Sequence, residues 1–132
     1  MSSLGFVVVW AIPEEWEEDC WIMVRHSRRG WELPGGGVMH GEGEDEAALR
    51  ELYEETGKLG IAKAIDKSLI DGGCVVLVHV LGEPSPDPWA SKDDSIEEVG
   101  WCLMPPENTA WEDGELERIR AHDWSKSISL ES

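Results

Sequence analysis

Three closely spaced glutamates are the residues of this 132-residue sequence best suited to chemistry. At 100° per residue on a helix, Glu51, Glu54 and Glu55 fall within an arc of about 100°, so their carboxylates share one face. The opposite face, expected to pack on a sheet, carries Leu49, Leu52, Tyr53 and Thr56. Clustered like charges destabilise a helix, and hard divalent cations bind carboxylate oxygens, usually together with substrate phosphates. The spacing therefore favours a divalent-cation site.

A solvated acidic helix face is the alternative, which a chain with a formal net charge of −17 would readily carry. Two neighbouring features favour the cation site. The glycine-rich run Pro34–Gly37 precedes the helix, and its backbone N–H and C=O groups suit a metal-bridged phosphate. Three of the six arginines lie together at positions 25, 28 and 29, which suggests contact with an anion, with a charged hairpin tip as the alternative.

The elements that position these residues follow from the hydrophobic pattern. Apolar, β-branched runs predict strands at Gly5–Ile12 and Cys20–Arg25, joined as a hairpin by an acidic loop. A short extended piece leads into Pro34–Gly37, where proline and consecutive glycines predict irregular backbone. The helical pattern runs from Glu44 to Thr56.

The second half of the chain returns to the strand period. Ile61–Ile70 and the apolar run Cys74–Leu81, expected to be a central buried strand, are predicted to pair around a turn at Asp71–Gly73. Three further elements are expected: a proline-rich loop at Glu83–Asp94, a strand at Ser95–Met104 and a helix at Trp111–His122. This order predicts a mixed sheet covered by helices.

Length and composition indicate one globular domain over residues 1–132. The excess of 28 acidic over 11 basic residues repels nucleic-acid backbones and anionic membranes, which excludes a generic duplex-binding protein. The three cysteines lack metal-site spacing and are expected to be buried thiols in a reducing compartment. The sequence shows neither a signal peptide nor a bilayer-spanning run, so we expect a cytoplasmic protein.

The segment around the glutamates resembles the Nudix box, Gx5Ex7REUxEExGU, where U is aliphatic. Gly36, Glu42 and the run Arg50–Gly57 match eight of its nine defined positions, and Lys58 stands at the ninth, where the family has an aliphatic residue. Two flanking segments are also similar, Trp31–Gly36 and Glu97–Trp101. The resemblance spans nearly the whole chain. It implies the Nudix fold, an α/β/α sandwich with a central mixed β-sheet and a loop–helix–loop catalytic motif.

Carried over position by position, the resemblance implies a metal site. Glu51, Glu54 and Glu55 would bind Mg²⁺ or Mn²⁺, and the carbonyl of Gly36 or Gly35 would be a further ligand. The metal would polarise a bridging phosphate and lower the pKa of a water that attacks phosphorus.

The resemblance also implies supporting roles. Arg50 would orient a glutamate of the box through a bidentate pair, and Glu42 would fix the loop and the start of the helix. The general base stays open between Glu51 and an acid of the later loop, with Asp94 and Glu97 as candidates. Four residues near the box are expected to bind substrate: Arg25, Arg28, Arg29 and Trp31. One of Trp10, Trp31 and Trp89 could stack on a nucleobase, although core packing is the alternative for each.

The implied reaction is hydrolysis of a pyrophosphate bond in a nucleoside diphosphate linked to another group. A small domain of this kind most resembles nucleoside triphosphate pyrophosphatases, those acting on oxidised nucleotides included, which release the monophosphate and pyrophosphate. The alternatives are ADP-ribose or dinucleoside polyphosphate hydrolysis, or a non-catalytic Nudix-fold nucleotide-binding module. The expected partner is a small-molecule nucleotide, without nucleic acid or membrane, and homodimers are common in the family.

Overall fold

Eight strands and two α-helices build the molecule in the computed structural model, which describes residues 5–15, 18–107, 109 and 114–130. In chain order the elements are β1 Phe6–Pro13, β2 Trp21–His26, β3 Gly30–Glu32, β4 Gly35–Gly37, α1 Glu44–Thr56, β5 Gly60–Asp66, β6 Gly73–Val80, β7 Ile96–Cys102, α2 Glu115–Arg120, a 3₁₀ turn Trp124–Lys126 and β8 Ile128–Ser129. Among these described elements, no helix has the length and apolar character needed to cross a membrane.

The strands form two sheets, and each of the two core clusters contains residues from both sheets. A five-stranded mixed sheet has the order β4-β1-β6-β5-β8, with β1 and β6 parallel, and a three-stranded antiparallel sheet has the order β3-β2-β7. Alternate residues of β1 face opposite sides: Val7 and Val9 join α1 in one core cluster, whereas Val8 and Trp10 join α2 in the other. Helices therefore cover both faces, and the predicted mixed α/β architecture is confirmed.

The predicted hairpin between the first two strands is wrong. β1 pairs in parallel with β6 from Phe6 opposite Gly73 to Pro13 opposite Val80, while β2 pairs with β3 and β7 in the other sheet. β1 is buried at nearly every position, so it needs a partner along its whole length and cover on both faces. Neighbouring apolar runs do not show which strands will pair.

Later predictions agree with the structure in part. β6 is the buried central strand, and it pairs with β5 as predicted. However, β5 ends at Asp66 rather than Ile70, so the connection spans residues 67–72 instead of the predicted turn at Asp71–Gly73, and Gly72 within it has a φ of +79°.

The 83–94 segment is a loop that meets β7 through an isolated bridge between Trp89 and Val99 and through the bond from the Ile96 N–H to the Asp93 carbonyl at 3.0 Å. For the predicted terminal helix, α2 accounts for Glu115–Arg120, and positions 111–113 lie outside the described residues.

Helix α1 has the predicted bounds because the sequence carries a helix start signal at one end and a stop signal at the other. At its start the Gly43 N–H donates to the Glu46 carboxylate at 3.0 Å, and three acids occupy the first turn. At its end Gly57 adopts the left-handed conformation and donates to the Tyr53 carbonyl. Leu52 and Thr56 are buried as predicted, but Tyr53 is 53% exposed, so its expected packing on the sheet is wrong.

Candidate active site

Arg50 ties the loop before α1 to the helix itself. Its Nε and Nη2 donate to the two carboxylate oxygens of Glu42 at 2.7 and 2.9 Å, and Nη2 also donates to the Gly37 carbonyl at 2.9 Å. Glu42 in turn accepts from the Met39 N–H at 3.0 Å. These bonds, chiefly those from Arg50, lower the pKa of Glu42 to about 2. The loop is therefore fixed against the helix by a bidentate ion pair.

The remaining nitrogen of Arg50 reaches the glutamates of the helix. Nη1 donates to Glu51 at 2.5 Å and to Glu54 at 3.2 Å. The Glu51 carboxylate is only 14% exposed, and burial raises its pKa against the opposing effect of Arg50. Glu54 is about half exposed. One guanidinium, with a single positive charge, is thus shared by three carboxylates.

Glu55 is the most deeply buried of the three helix glutamates. Burial raises its pKa to about 8; the hydrogen bond from the Gly35 N–H, 2.9 Å long, works against this, and the charges of Glu51, Glu32 and Asp93 reinforce it. Without a cation the folded protein therefore holds this carboxyl mostly protonated at neutral pH. A bound cation would favour the ionised form.

The run Pro34–Gly37, predicted to be irregular, instead contains strand β4 at Gly35–Gly37, and close contacts explain the glycines at positions 35 and 36. None of the three glycines has a positive φ. A Cβ on Gly35 would collide with the Val7 carbonyl, and one on Gly36 would collide with the Glu51 carboxylate. Extended backbone without side chains lets the strand lie directly against β1 and α1.

Backbone groups alternate in direction along β4 and its flanks. The Pro34 carbonyl and the Val38 N–H bond to the β1 side, whereas the Gly35 N–H and the Gly37 carbonyl bond to side chains of α1. By this antiparallel alternation, Gly36 directs its groups to β1 and Gly35 directs its own to the helix. The carbonyl best placed to meet the glutamates is therefore that of Gly35.

The donor set fits a hard divalent cation. Carboxylates from Glu51, Glu54 and Glu55 and a strand carbonyl are oxygen ligands of the type that Mg²⁺ and Mn²⁺ bind. In the part of the chain that the structure describes, no three acidic, His or Cys groups already converge on one point. Arg50 draws Glu51 and Glu54 toward itself, so binding would require these side chains to rotate.

Two cavities lie on either side of these acids. The glycine-side cavity, about 730 Å³ in volume, is lined by residues that include Arg29, Glu32, Gly35, Gly36 and Arg118. The lysine-side cavity, about 720 Å³, is lined by residues that include Glu54, Lys58, Trp89, Lys92 and Asp93. The Glu55 carboxylate bonds to the N–H of Gly35 on the wall of the glycine-side cavity, and its chain neighbours Glu54 and Thr56 line the lysine-side cavity.

Comparison with known proteins decides the family. A family model described as the NUDIX domain matches residues 4–124. The chain belongs to the NUDIX domain family. This confirms the family predicted from the box.

Sequence relatives match the chain over short segments. The Bacillus subtilis protein named "Putative 8-oxo-dGTP diphosphatase YtkD" is 54% identical over 37 residues, which are 28% of this chain and 23% of that protein. The RNA pyrophosphohydrolase of Brucella ovis is 53% identical over 32 residues, 24% of this chain and 18% of that protein. The matched segments thus span less than a quarter of either relative.

A solved structure extends the likeness to the whole fold. The NUDIX hydrolase from Nitrosomonas europaea superposes with a TM-score of 0.64 at 18% identity, covering 98% of this chain and 94% of that one. At this identity the likeness shows the fold alone.

Within this Nudix fold, only one of the four predicted substrate-binding residues lines either cavity. Arg29 lines the glycine-side cavity, where it also pairs with Glu32 at 2.8 Å. Arg25 pairs with Glu97 at 3.1 Å, and its guanidinium carbon lies 6.0 Å from the ring centre of Trp31, which is half-buried on β3. The fourth residue, Arg28, is exposed.

The tryptophans suggested for base stacking have different surroundings. Trp10 is buried and stacks on Trp21 with ring centres 5.3 Å apart, so its interpretation as a stacking platform is wrong. Trp89 lines the lysine-side cavity, and its Nε1 donates to the Thr56 carbonyl at 2.7 Å. This bond fastens the 83–94 loop to the end of α1.

The later-loop acids differ in their access to the site. Asp94 is exposed, and Glu97 is held by Arg25. The neighbouring Asp93, which the sequence analysis did not select, lines the lysine-side cavity and acts electrostatically on Glu55. Its bonds from Ser95 could have been anticipated from the Asp-x-Ser spacing. Arg118 on α2 also lines the glycine-side cavity, but no sequence pattern indicated this position.

Proposed function

We propose that this Nudix protein is a divalent-metal-dependent pyrophosphohydrolase. Its substrate would be a nucleoside diphosphate linked to another group, in the first place a nucleoside triphosphate, normal or oxidised, cleaved to the monophosphate and pyrophosphate. The observation that carries the proposal is the position of Glu55. Its carboxylate bonds to Gly35 on the wall of the glycine-side cavity, and the adjoining Glu54 lines the lysine-side cavity. Each cavity is large enough for one end of such a substrate.

The metal ligands in this proposal are Glu51, Glu54, Glu55 and the carbonyl of Gly35. Gly35 replaces Gly36 as the favoured carbonyl because the alternation along β4 turns Gly35 toward the helix. A divalent cation bound there supplies neutralisation of phosphate charge and acidification of water.

The chain's own groups divide the remaining tasks. Arg50, held by Glu42, positions Glu51 and Glu54, which would hold the cation. Glu51 and Asp93 are the candidate general bases, and Asp93 lines the lysine-side cavity without being one of the proposed metal ligands. In the glycine-side cavity, Arg29 and Arg118 are positioned to contact anionic groups of the nucleotide.

The relatives' names support this class of reaction and differ in the substrate. One is named as an 8-oxo-dGTP diphosphatase and the other as an RNA pyrophosphohydrolase. The net charge of −17 disfavours a long RNA backbone, which would be repelled along its length. A free nucleotide is therefore the preferred substrate.

The test is a panel of substrates assayed with wild type and Glu54→Gln side by side at about 5 mM Mg²⁺. Canonical and oxidised nucleoside triphosphates are followed by phosphate release with added pyrophosphatase, and ADP-ribose, dinucleoside tetraphosphate and 5′-triphosphate RNA by chromatography. We expect metal-dependent turnover of a triphosphate that falls at least a hundredfold in the folded variant. Turnover that is equal in both proteins would contradict the assignment of Glu54. Nucleotide binding without any turnover would instead favour a non-catalytic nucleotide-binding module.

A further inference from the structure

The lysine-side cavity is lined by the residue at which this chain departs from the Nudix box. Lys58 occupies the motif's last position, where the family has an aliphatic residue. Its Nζ lies 4.8 Å from the ring centre of Trp89, a distance typical of a cation–π contact. Lys92, from the loop that Trp89 fastens to α1, lines the same cavity. Two of the chain's five lysines thus meet in one concave space.

Within the part of the chain that the structure describes, neither lysine has an acidic partner, despite the large acidic excess of the sequence. Among the described residues, no carboxylate lies within 4.0 Å of either ammonium group. The two acids that line the cavity bond to other donors: Glu54 accepts from Arg50 at 3.2 Å, and Asp93 accepts from the Ser95 N–H and hydroxyl at 2.9 and 2.7 Å. Each lysine ammonium group therefore presents a positive charge that no described carboxylate pairs directly.

This charge lies beside the proposed metal ligands. Glu54 lines the cavity itself, and Glu55 is within electrostatic reach of Asp93 on the cavity wall. A substrate whose nucleoside end occupies the glycine-side cavity would extend past these acids toward Lys58 and Lys92. The group found there would be whatever is attached beyond the nucleoside diphosphate.

We propose that Lys58 and Lys92 form a phosphate subsite that selects a further phosphate, rather than a neutral sugar, as the group attached to the diphosphate. The substrate class is then a nucleoside with three or more phosphates, and nucleoside diphosphate sugars are poor substrates. The assignment of this phosphate to a nucleotide substrate, with its nucleoside end in the glycine-side cavity, rests on the proposed function. The anion site itself rests only on the two lysines, Trp89 and the cavity.

The first experiment measures binding without metal or catalysis. Inorganic tripolyphosphate is titrated calorimetrically into wild type, Lys58→Leu and Lys92→Gln in EDTA at low salt. Lys58→Leu restores the aliphatic residue of the motif, and Lys92→Gln changes an exposed side chain that the fold does not need. Lys67→Gln is the matched control, since Lys67 pairs with Glu44 at 3.2 Å and lines neither cavity. We expect Kd to rise about fivefold in each cavity variant and to stay constant in the control.

The second experiment compares KM for a nucleoside triphosphate and for ADP-ribose in the same proteins with Mg²⁺. We expect the cavity variants to raise KM for the triphosphate about fivefold and to leave that for ADP-ribose unchanged. Unchanged tripolyphosphate binding in both variants, or an equal KM change for both substrates, would overturn the subsite. Absence of turnover in wild type would instead overturn the proposed function, while the calorimetric result would still decide whether the subsite exists.

Discussion

The buried Glu55 carboxyl makes the stability of the metal-free protein depend on pH. Its pKa is about 8 in the folded protein against an ordinary value of 4.5, so the folded state holds an extra proton between these two pH values. Because the pKa of this acid is raised, stability falls as pH rises from about 4.5 to about 8 and levels off above that. At ~1.36 kcal/mol per pKa unit, the total loss reaches at most about 5 kcal/mol.

Glu55→Gln should remove this loss. The amide cannot ionise, yet its carbonyl oxygen can still accept the Gly35 N–H. We expect the variant to match wild type near pH 4.5 and to exceed it by up to about 5 kcal/mol at pH 9, measured by urea denaturation in EDTA. Added Mn²⁺ should stabilise wild type and have a much smaller effect on the variant.

The control for this experiment is Glu83→Gln, which makes the same chemical change at an exposed position in the 83–94 loop. Its difference from wild type should not vary with pH. A Glu55→Gln advantage of equal size at pH 4.5 and pH 9 would refute the argument from burial. So would a variant that is less stable than wild type at pH 9.

Three further predictions follow from charges and close contacts. Gly36→Ala should lower kcat/KM at least tenfold in the substrate assay, because the added Cβ collides with the Glu51 carboxylate. Gly37→Ala, which has open space around the added Cβ, should retain activity. Equal effects of the two substitutions would contradict this argument. Arg50→Lys should lower the Tm by roughly 5 °C in calorimetry, since lysine cannot make the bidentate pair with Glu42, and an unchanged Tm would show that the pair is dispensable. The net charge of −17 predicts a Tm that rises with added NaCl as screening relieves repulsion, and a flat response would count against adaptation to salt.

Local signals made the central helix predictable. Acidic residues in the first turn, Gly57 after the last turn and the period of buried residues such as Leu52 together define α1 without knowledge of the rest of the fold. The spacing of the box glutamates also identifies a shared face, because helix geometry alone relates positions three and four apart.

Contacts between distant segments were not predictable in the same way. The pairing of β1 with β6 depends on which strands are buried together, and Trp10 is covered by Trp21 from another sheet. Asp93, rather than Asp94, lines a cavity because of a turn in the loop, and Arg118 reaches the glycine-side cavity only through the docking of α2. The strand at Gly35–Gly37 was not predicted, because the sequence shows that glycine allows unusual backbone angles but does not show that this segment must lie close to β1 and α1.

The guanidinium of Arg50 provides α1 with a counterion that is part of the chain. It is anchored by Glu42, whose pKa of about 2 keeps that anchor ionised throughout the physiological range, and it also bonds to Glu51 and Glu54. A newly synthesised chain could therefore complete its fold before meeting any metal, and loading would be an exchange of ionic partners on a finished scaffold. Metal loading would then add to the stability of a chain that has already folded, chiefly by relieving the cost of ionising the buried Glu55 carboxyl.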